Sequence, residues 1–202
     1  MQNSIFIPTG DKYDHPAKIV TLGHYYAQGK SAAAQSAVRE ARAGYNAGKV
    51  RENAGWTRLV NALNGERQWP LKRLYAMLDP LLEPGIALAV VPPHRAFQAF
   101  WPLRTLAQRL AENKRVDATS CLVRHTTIRR IIYGGPSTRA LHRQTIGLEH
   151  AELVAGRRVL LLDDTAKSGA SLIACRELLA EAGAEAVQAM ALGRVIVPDT
   201  SA

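Results

Sequence analysis

Apolar and polar positions follow two regimes along the chain. From residue 85 onward, short unbroken apolar runs alternate with stretches of helical period. Residues 86–91 and 159–162 are apolar without interruption and 186–192 are apolar but for Gln188, which predicts strands buried on both faces of a parallel sheet. Between the first two runs, Pro102 opens a helix with Leu103, Leu106, Ala107 and Leu110 on one face. Between the last two, Ser171 opens a helix to about Ala182. Leu172, Cys175, Leu178, Leu179 and Ala182 share its apolar side, and Arg176, Glu177 and Glu181 its polar side. Gly183 is its C-terminal cap, so the end of the chain reads as a βαβ unit. Residues 119–123 predict a second short strand of the core and 149–154 a short helix.

Before residue 85 the pattern is mainly helical. Residues 15–28 read as a helix that buries Ile19, Val20, Leu22 and Tyr26, after a short edge strand at 4–8. An alanine-rich helix is expected at 31–47, and further helices at 56–63 and 70–78, the last with Pro70 in its first turn. Pro84-Gly85 is the turn that divides a helical N-terminal segment, 1–84, from an α/β core, 85–202. Between residues 124 and 156 lies the longest connection. Gly134-Gly135-Pro136 predicts the turn of a hairpin with arms at 126–133 and 137–145.

Chemistry concentrates at residues 158–172. Asp163 and Asp164 follow the second apolar run, 159–162, and a loop of small residues, 165–170, leads into the next helix. Such a loop presents backbone N–H groups and the positive end of a helix dipole, which suits a phosphate. Thr165, Ser168 and Ser171 add hydroxyl donors, Lys167 adds charge, and Gly169 allows close approach to the backbone. Paired carboxylates beside an anion cradle call for sugar hydroxyls or a divalent cation. Together they describe a site for a ribose 5-phosphate unit. The spacing of a Walker P-loop is absent.

The run Val159-Leu-Leu-Leu-Asp-Asp-Thr-Ala-Lys-Ser-Gly-Ala-Ser-Leu172 resembles the phosphoribosyl-pyrophosphate (PRPP) motif of type I phosphoribosyltransferases. Its departures are Thr165 and Ala166 in place of larger apolar residues, and Lys167 at the first hydroxyl position. A Pro-x-His loop after the first core strand, a Leu-x-Arg after the second and Leu-Leu-Leu-Asp-Asp most resemble the competence-protein-F-like branch. The resemblance spans roughly residues 85–195. It implies a phosphoribosyltransferase that displaces pyrophosphate from PRPP, with Mg²⁺ carried by the substrate and an acceptor that the sequence does not identify. It further implies that Asp163 and Asp164 accept the ribose hydroxyls and that Thr165, Ala166, Lys167, Ser168, Gly169, Ala170 and Ser171 hold the 5-phosphate. Pro93, His94, Arg95 and Arg124 fall on the pyrophosphate side, and Arg139 and His142 in the catalytic loop. No dedicated metal cage is expected.

Charge widens the choice. The net charge of +9 points to anionic ligands or partners without separating phosphorylated metabolites from nucleic acid. Residues 124–143 hold five arginines and two histidines and no acid, a bias beyond what solubility needs. A second reading is therefore a non-enzymatic PRPP or nucleotide sensor whose basic surface meets nucleic acid or a partner. A homodimer is a further expectation from the resemblance. With only Cys121 and Cys175, no signal-like N-terminus and no apolar run of membrane-spanning length, a cytoplasmic protein without a zinc site or a membrane anchor is expected.

Overall fold

The computed structural model describes residues 14–15, 19–26, 47–65, 68–129 and 137–196. Their organising element is a mostly parallel, seven-stranded sheet. Its strands are β1 (Asp14–His15), β2 (Ile19–Thr21), β3 (His24–Tyr26), β4 (Ala87–Val90), β5 (Val116–Asp117), β8 (Arg158–Ala166) and β9 (Ala186–Ile196). Two more strands, β6 (Leu122–Arg124) and β7 (Ile146–Leu148), form a small antiparallel sheet of their own. The helices are α1 (Ala47–Asn64), α2 (Gln68–Leu78), α3 (Pro102–Ala111), α4 (Arg139–Thr145) and α5 (Ala170–Glu181). The main sheet runs β1-β2-β9-β8-β4-β5, with β3 also alongside β9. All its pairings are parallel except that of β1 with β2.

Strand alternation divides the core into two layers. Leu88, Val90, Leu160, Leu162, Met190 and Leu192 face one side, where Leu59, Val60 and Leu63 of α1, Leu71, Leu74 and Leu78 of α2, and Leu103, Leu106 and Leu110 of α3 cover them. Ala87, Ala89, Val159, Leu161, Ala189 and Ala191 face the other, beneath Leu172, Cys175 and Leu179 of α5 and Leu122 and Ile146 of the small sheet. A strand apolar on both faces needs cover on both, and the helices on either side supply it.

The N-terminal segment differs from its sequence reading. Residues 15–28 predict a helix, yet β2 and β3 lie there, both parallel to β9. Ile19 and Thr21 point inward and are buried while Val20 is only half-buried, the two-residue period of a strand. The sheet edge along β9 offers backbone hydrogen bonds that an isolated helix there would leave to water. Helix α1 then crosses β3 closely. A Cβ added at Gly23 would stand 2.4 Å from the Trp56 ring, so only glycine lets α1 seat. Gly23→Ala is expected to cost about 1–2 kcal/mol in a denaturant melt, because either the ring or the strand must move.

Two core expectations are also corrected. The strand placed at 119–123 starts only at Leu122, and a separate short strand precedes it. Val116–Asp117 joins the main sheet, where Val116 and Ala118 donate to the carbonyls of Ile86 and Leu88, and Leu122–Arg124 joins the small one. Residues 137–145 predict a hairpin arm but fold as helix α4, whose N-cap Thr138 accepts from the Leu141 N–H. The hairpin turn at 134–136, the helix expected at 31–47 (but for its last residue) and the strand at 4–8 lie outside the described residues. Within them, no helix is long and apolar enough to cross a membrane.

Candidate functional site at the end of strand β8

The two acids sit within β8, which continues through Ala166. The strand is therefore longer than its apolar run. Thr165 and Ala166 belong to it, opposite Gly193 and Arg194 of β9, and only residues 167–169 form the loop to α5. Gly169 turns that loop with φ +74°, a left-handed conformation that glycine adopts without strain. Lys167 and Ser168 are exposed, and Ala170 begins the twelve-residue α5. The N-terminus of α5 and the two carboxylates thus share one end of the sheet, the carboxyl end where open α/β folds hold their ligands.

Hydrogen bonds assign the hydroxyls differently from the sequence reading. Ser171 Oγ donates to Asp163 Oδ2 at 3.0 Å, and the Asp164 N–H donates to Asp163 Oδ1 at 2.9 Å. Thr165 Oγ1 donates to Asp164 Oδ1 at 3.3 Å. Ser168 Oγ accepts from the Ala170 N–H at 3.4 Å. Ser171 and Thr165 therefore orient the acids in this arrangement. Asp164 Oδ2 accepts from Asn64 Nδ2 at 2.9 Å, a partner one hundred residues away that sequence spacing does not reveal.

Asp163 is the electrostatically strained member of the pair. Burial raises its pKa well above the usual carboxylate range, and the neighbouring Asp164 charge raises it further, against the opposing hydrogen bond from Ser171. An acid held this way gains from a ligand that brings hydroxyl donors or positive charge.

A second group of predicted residues lies where β4 ends. Pro92, Pro93, Arg95, Trp101, Arg104 and Arg124 help line a cleft of about 250 Å³. Arg95 is exposed and the His94 carbonyl accepts from the Ile128 N–H, so the loop is tied to the chain that follows β6. Phe97 is held at φ +52° with its N–H on the Arg124 carbonyl.

Arg124 and His142, expected near pyrophosphate and in catalysis, turn out to be buried at 2% exposure each. The Arg124 guanidinium donates to the Pro93 carbonyl at 2.6 Å and to Thr145 Oγ1 at 2.6 Å, and its third nitrogen lies 3.2 Å from His142 Nδ1. Because a guanidinium can only donate, His142 Nδ1 must accept. The proton then sits on Nε2, 3.2 Å from Ser137 Oγ. Burial, with the Arg124 charge beside it, pushes the His142 pKa down to about 4. This cluster braces the proline loop against α4. Arg139 is placed elsewhere, on Glu177 of α5 at 2.8 Å, as Arg143 is on Glu181. As arranged, Arg124, His142 and Arg139 link neighbouring elements.

A structure of hypoxanthine phosphoribosyl transferase from Trypanosoma cruzi is similar at 14% identity and a TM-score of 0.32, over 69% of this chain and 64% of its own. The purine phosphoribosyltransferase from Pyrococcus horikoshii is similar at 14% identity and a TM-score of 0.31, over 71% of this chain and 87% of its own. This chain thus spans less than two thirds of the length of the first. No curated protein matches. The family model of the phosphoribosyl transferase domain matches residues 88–195, more than half of the chain, from within β4 to within β9. The chain belongs to the phosphoribosyl transferase domain family.

Proposed function

We propose that the end of β8 binds PRPP with its Mg²⁺ and that the protein transfers the 5-phosphoribosyl group to an acceptor with loss of pyrophosphate. One observation carries this reading. Two partly buried carboxylates, each oriented by hydrogen bonds, stand beside the N-terminus of α5 inside the matched domain. Asp163 and Asp164 would accept the ribose 2- and 3-hydroxyls. The backbone of residues 167–171, with Lys167, would hold the 5-phosphate. The acceptor's nucleophile would form the new bond to ribose C1 as the C1–oxygen bond breaks, and pyrophosphate would leave with that electron pair. The protein's part is to position both reactants and balance the leaving charge. Arg95, exposed at the rim of the cleft, is the arginine best placed to meet it, with Mg²⁺ carried by the phosphates. The motifs quoted above favour the competence-protein-F-like branch.

Calorimetric titration of Mg²⁺-PRPP tests the reading. The wild type should bind, and Asp163→Asn/Asp164→Asn should not. Absence of wild-type binding would leave the acid pair as scaffold. Binding without pyrophosphate release across an acceptor screen would favour the second reading, a PRPP sensor.

A further inference from the structure

The two acids are held by different parts of the molecule. Both oxygens of Asp163 are fixed from within the motif, by the Asp164 N–H and by Ser171. The shorter contact to Asp164 comes from Asn64, the last residue of α1, at 2.9 Å. A second side-chain contact, from Thr165, is longer at 3.3 Å. A carboxylate turns easily about its last bond, so its aim depends on such contacts.

The position of Asn64 is itself determined. Asn61, one turn earlier on the same face of α1, accepts from the Tyr25 hydroxyl at 2.8 Å. Tyr25 lies over Gly193 so closely that a Cβ there would stand 2.8 Å from the tyrosine Cβ. Burial, and then the charge of Asp164, raise the Tyr25 pKa, which keeps the phenol protonated as a donor. Trp56 over Gly23 and the buried Thr57, Leu59, Val60 and Leu63 seat the rest of the helix. A continuous set of contacts thus runs from β9 through Tyr25 and α1 to the second acid of the motif.

We propose that Asn64 is a positioning residue supplied by the N-terminal segment: its carboxamide aims Asp164 at one hydroxyl of the ribose. The proposal rests on the PRPP reading of the site. It makes diol recognition depend on α1, while the phosphate contact at residues 167–171 does not. The carboxamide donor is required. A carboxylate of the same shape at position 64 would face Asp164 as a like charge.

The test uses the full chain and three probes: Mg²⁺-PRPP, ribose 5-phosphate and 2-deoxyribose 5-phosphate. Asn64→Ala should weaken Mg²⁺-PRPP about 5–10-fold, as expected for one lost hydrogen bond of ordinary strength at an exposed position. It should also narrow the preference for ribose 5-phosphate over its 2-deoxy analogue, a change that a merely structural role would not produce. Asn64→Asp should weaken binding about 30-fold or more at pH 8, and its deficit relative to Asn64→Ala should shrink toward pH 5, where two facing carboxylates share a proton. Thermal melts of both variants should stay close to wild type, because Asn64 is exposed. Wild-type binding with both variants within twofold of it, at unchanged selectivity, overturns the role of Asn64 and leaves the PRPP reading standing. No wild-type binding to any probe overturns both.

Discussion

Asp163→Asn should reduce Mg²⁺-PRPP affinity about 100-fold and yet leave the protein at least as stable as the wild type. The two effects have one cause. Asp163 is partly buried beside a second acid, and burial together with that neighbour's charge makes its ionised form costly in the free protein. Asparagine has the same shape. Its carbonyl can accept from the Asp164 N–H in place of Oδ1, and its NH₂ can donate to Ser171 Oγ in place of the bond that Oδ2 now accepts. The local network survives and the charge repulsion is gone. A ribose hydroxyl, however, loses an ionised acceptor, and charge-assisted hydrogen bonds of this kind contribute about 1.5–3 kcal/mol each. A raised carboxyl pKa means that the folded state holds its proton more tightly than the unfolded one, so the contribution of Asp163 to stability declines as pH rises through the interval between the two values. The variant removes that decline. Calorimetry for affinity and thermal melts at pH 5 and pH 8 test both halves. A variant that is clearly less stable than wild type at pH 8, or that binds within threefold of it, would contradict this account.

The parts of the fold legible in the sequence are those where one residue pattern admits one environment. Residues 86–91 and 159–162 are apolar at every position, which only a strand covered on both faces can use, and they became β4 and the first half of β8. The apolar stripe of α3 led to its buried face for the same reason. The acids were visible because charge directly after such a strand has to face the sheet's end. What stayed hidden depends on distant partners. Three-residue strands such as β2 and β3 are too short to display a period, and they exist because β9 offers them an edge. Asn64 carries no local signal at all, since its meaning comes from an acid one hundred positions away. Arg124 misleads in the opposite way. Within a basic stretch it resembles a ligand contact, but the fold turns it inward onto a carbonyl, a hydroxyl and an imidazole.

That inward turn predicts an acid-sensitive joint. His142 is 2% exposed and its folded pKa is about 4, against 6.5 for the free side chain. A lowered histidine pKa means that the unfolded chain binds the proton first. Stability is therefore intact above about pH 6.5 and is lost as pH falls from there toward 4. Linkage puts this loss at about 2 kcal/mol at pH 5 and about 3 kcal/mol at pH 4. Asp163 contributes with the opposite sign as pH falls, and Asp79, whose pKa its Arg115 partner lowers, contributes only at the acid end. The histidine term is isolated by comparing wild type with His142→Gln. Glutamine offers an oxygen toward Arg124 and an NH₂ toward Ser137, and it does not titrate. Denaturant melts from pH 7.5 to pH 4.5 should show the wild type losing about 2.5 kcal/mol more than the variant. Parallel curves would mean that His142 is not held neutral. Because Arg124 also grips the Pro93 carbonyl, protonation of His142 places a second cation against the guanidinium that braces the loop beside the cleft. Mg²⁺-PRPP affinity should then fall over the same pH range in the wild type, and fall less in His142→Gln.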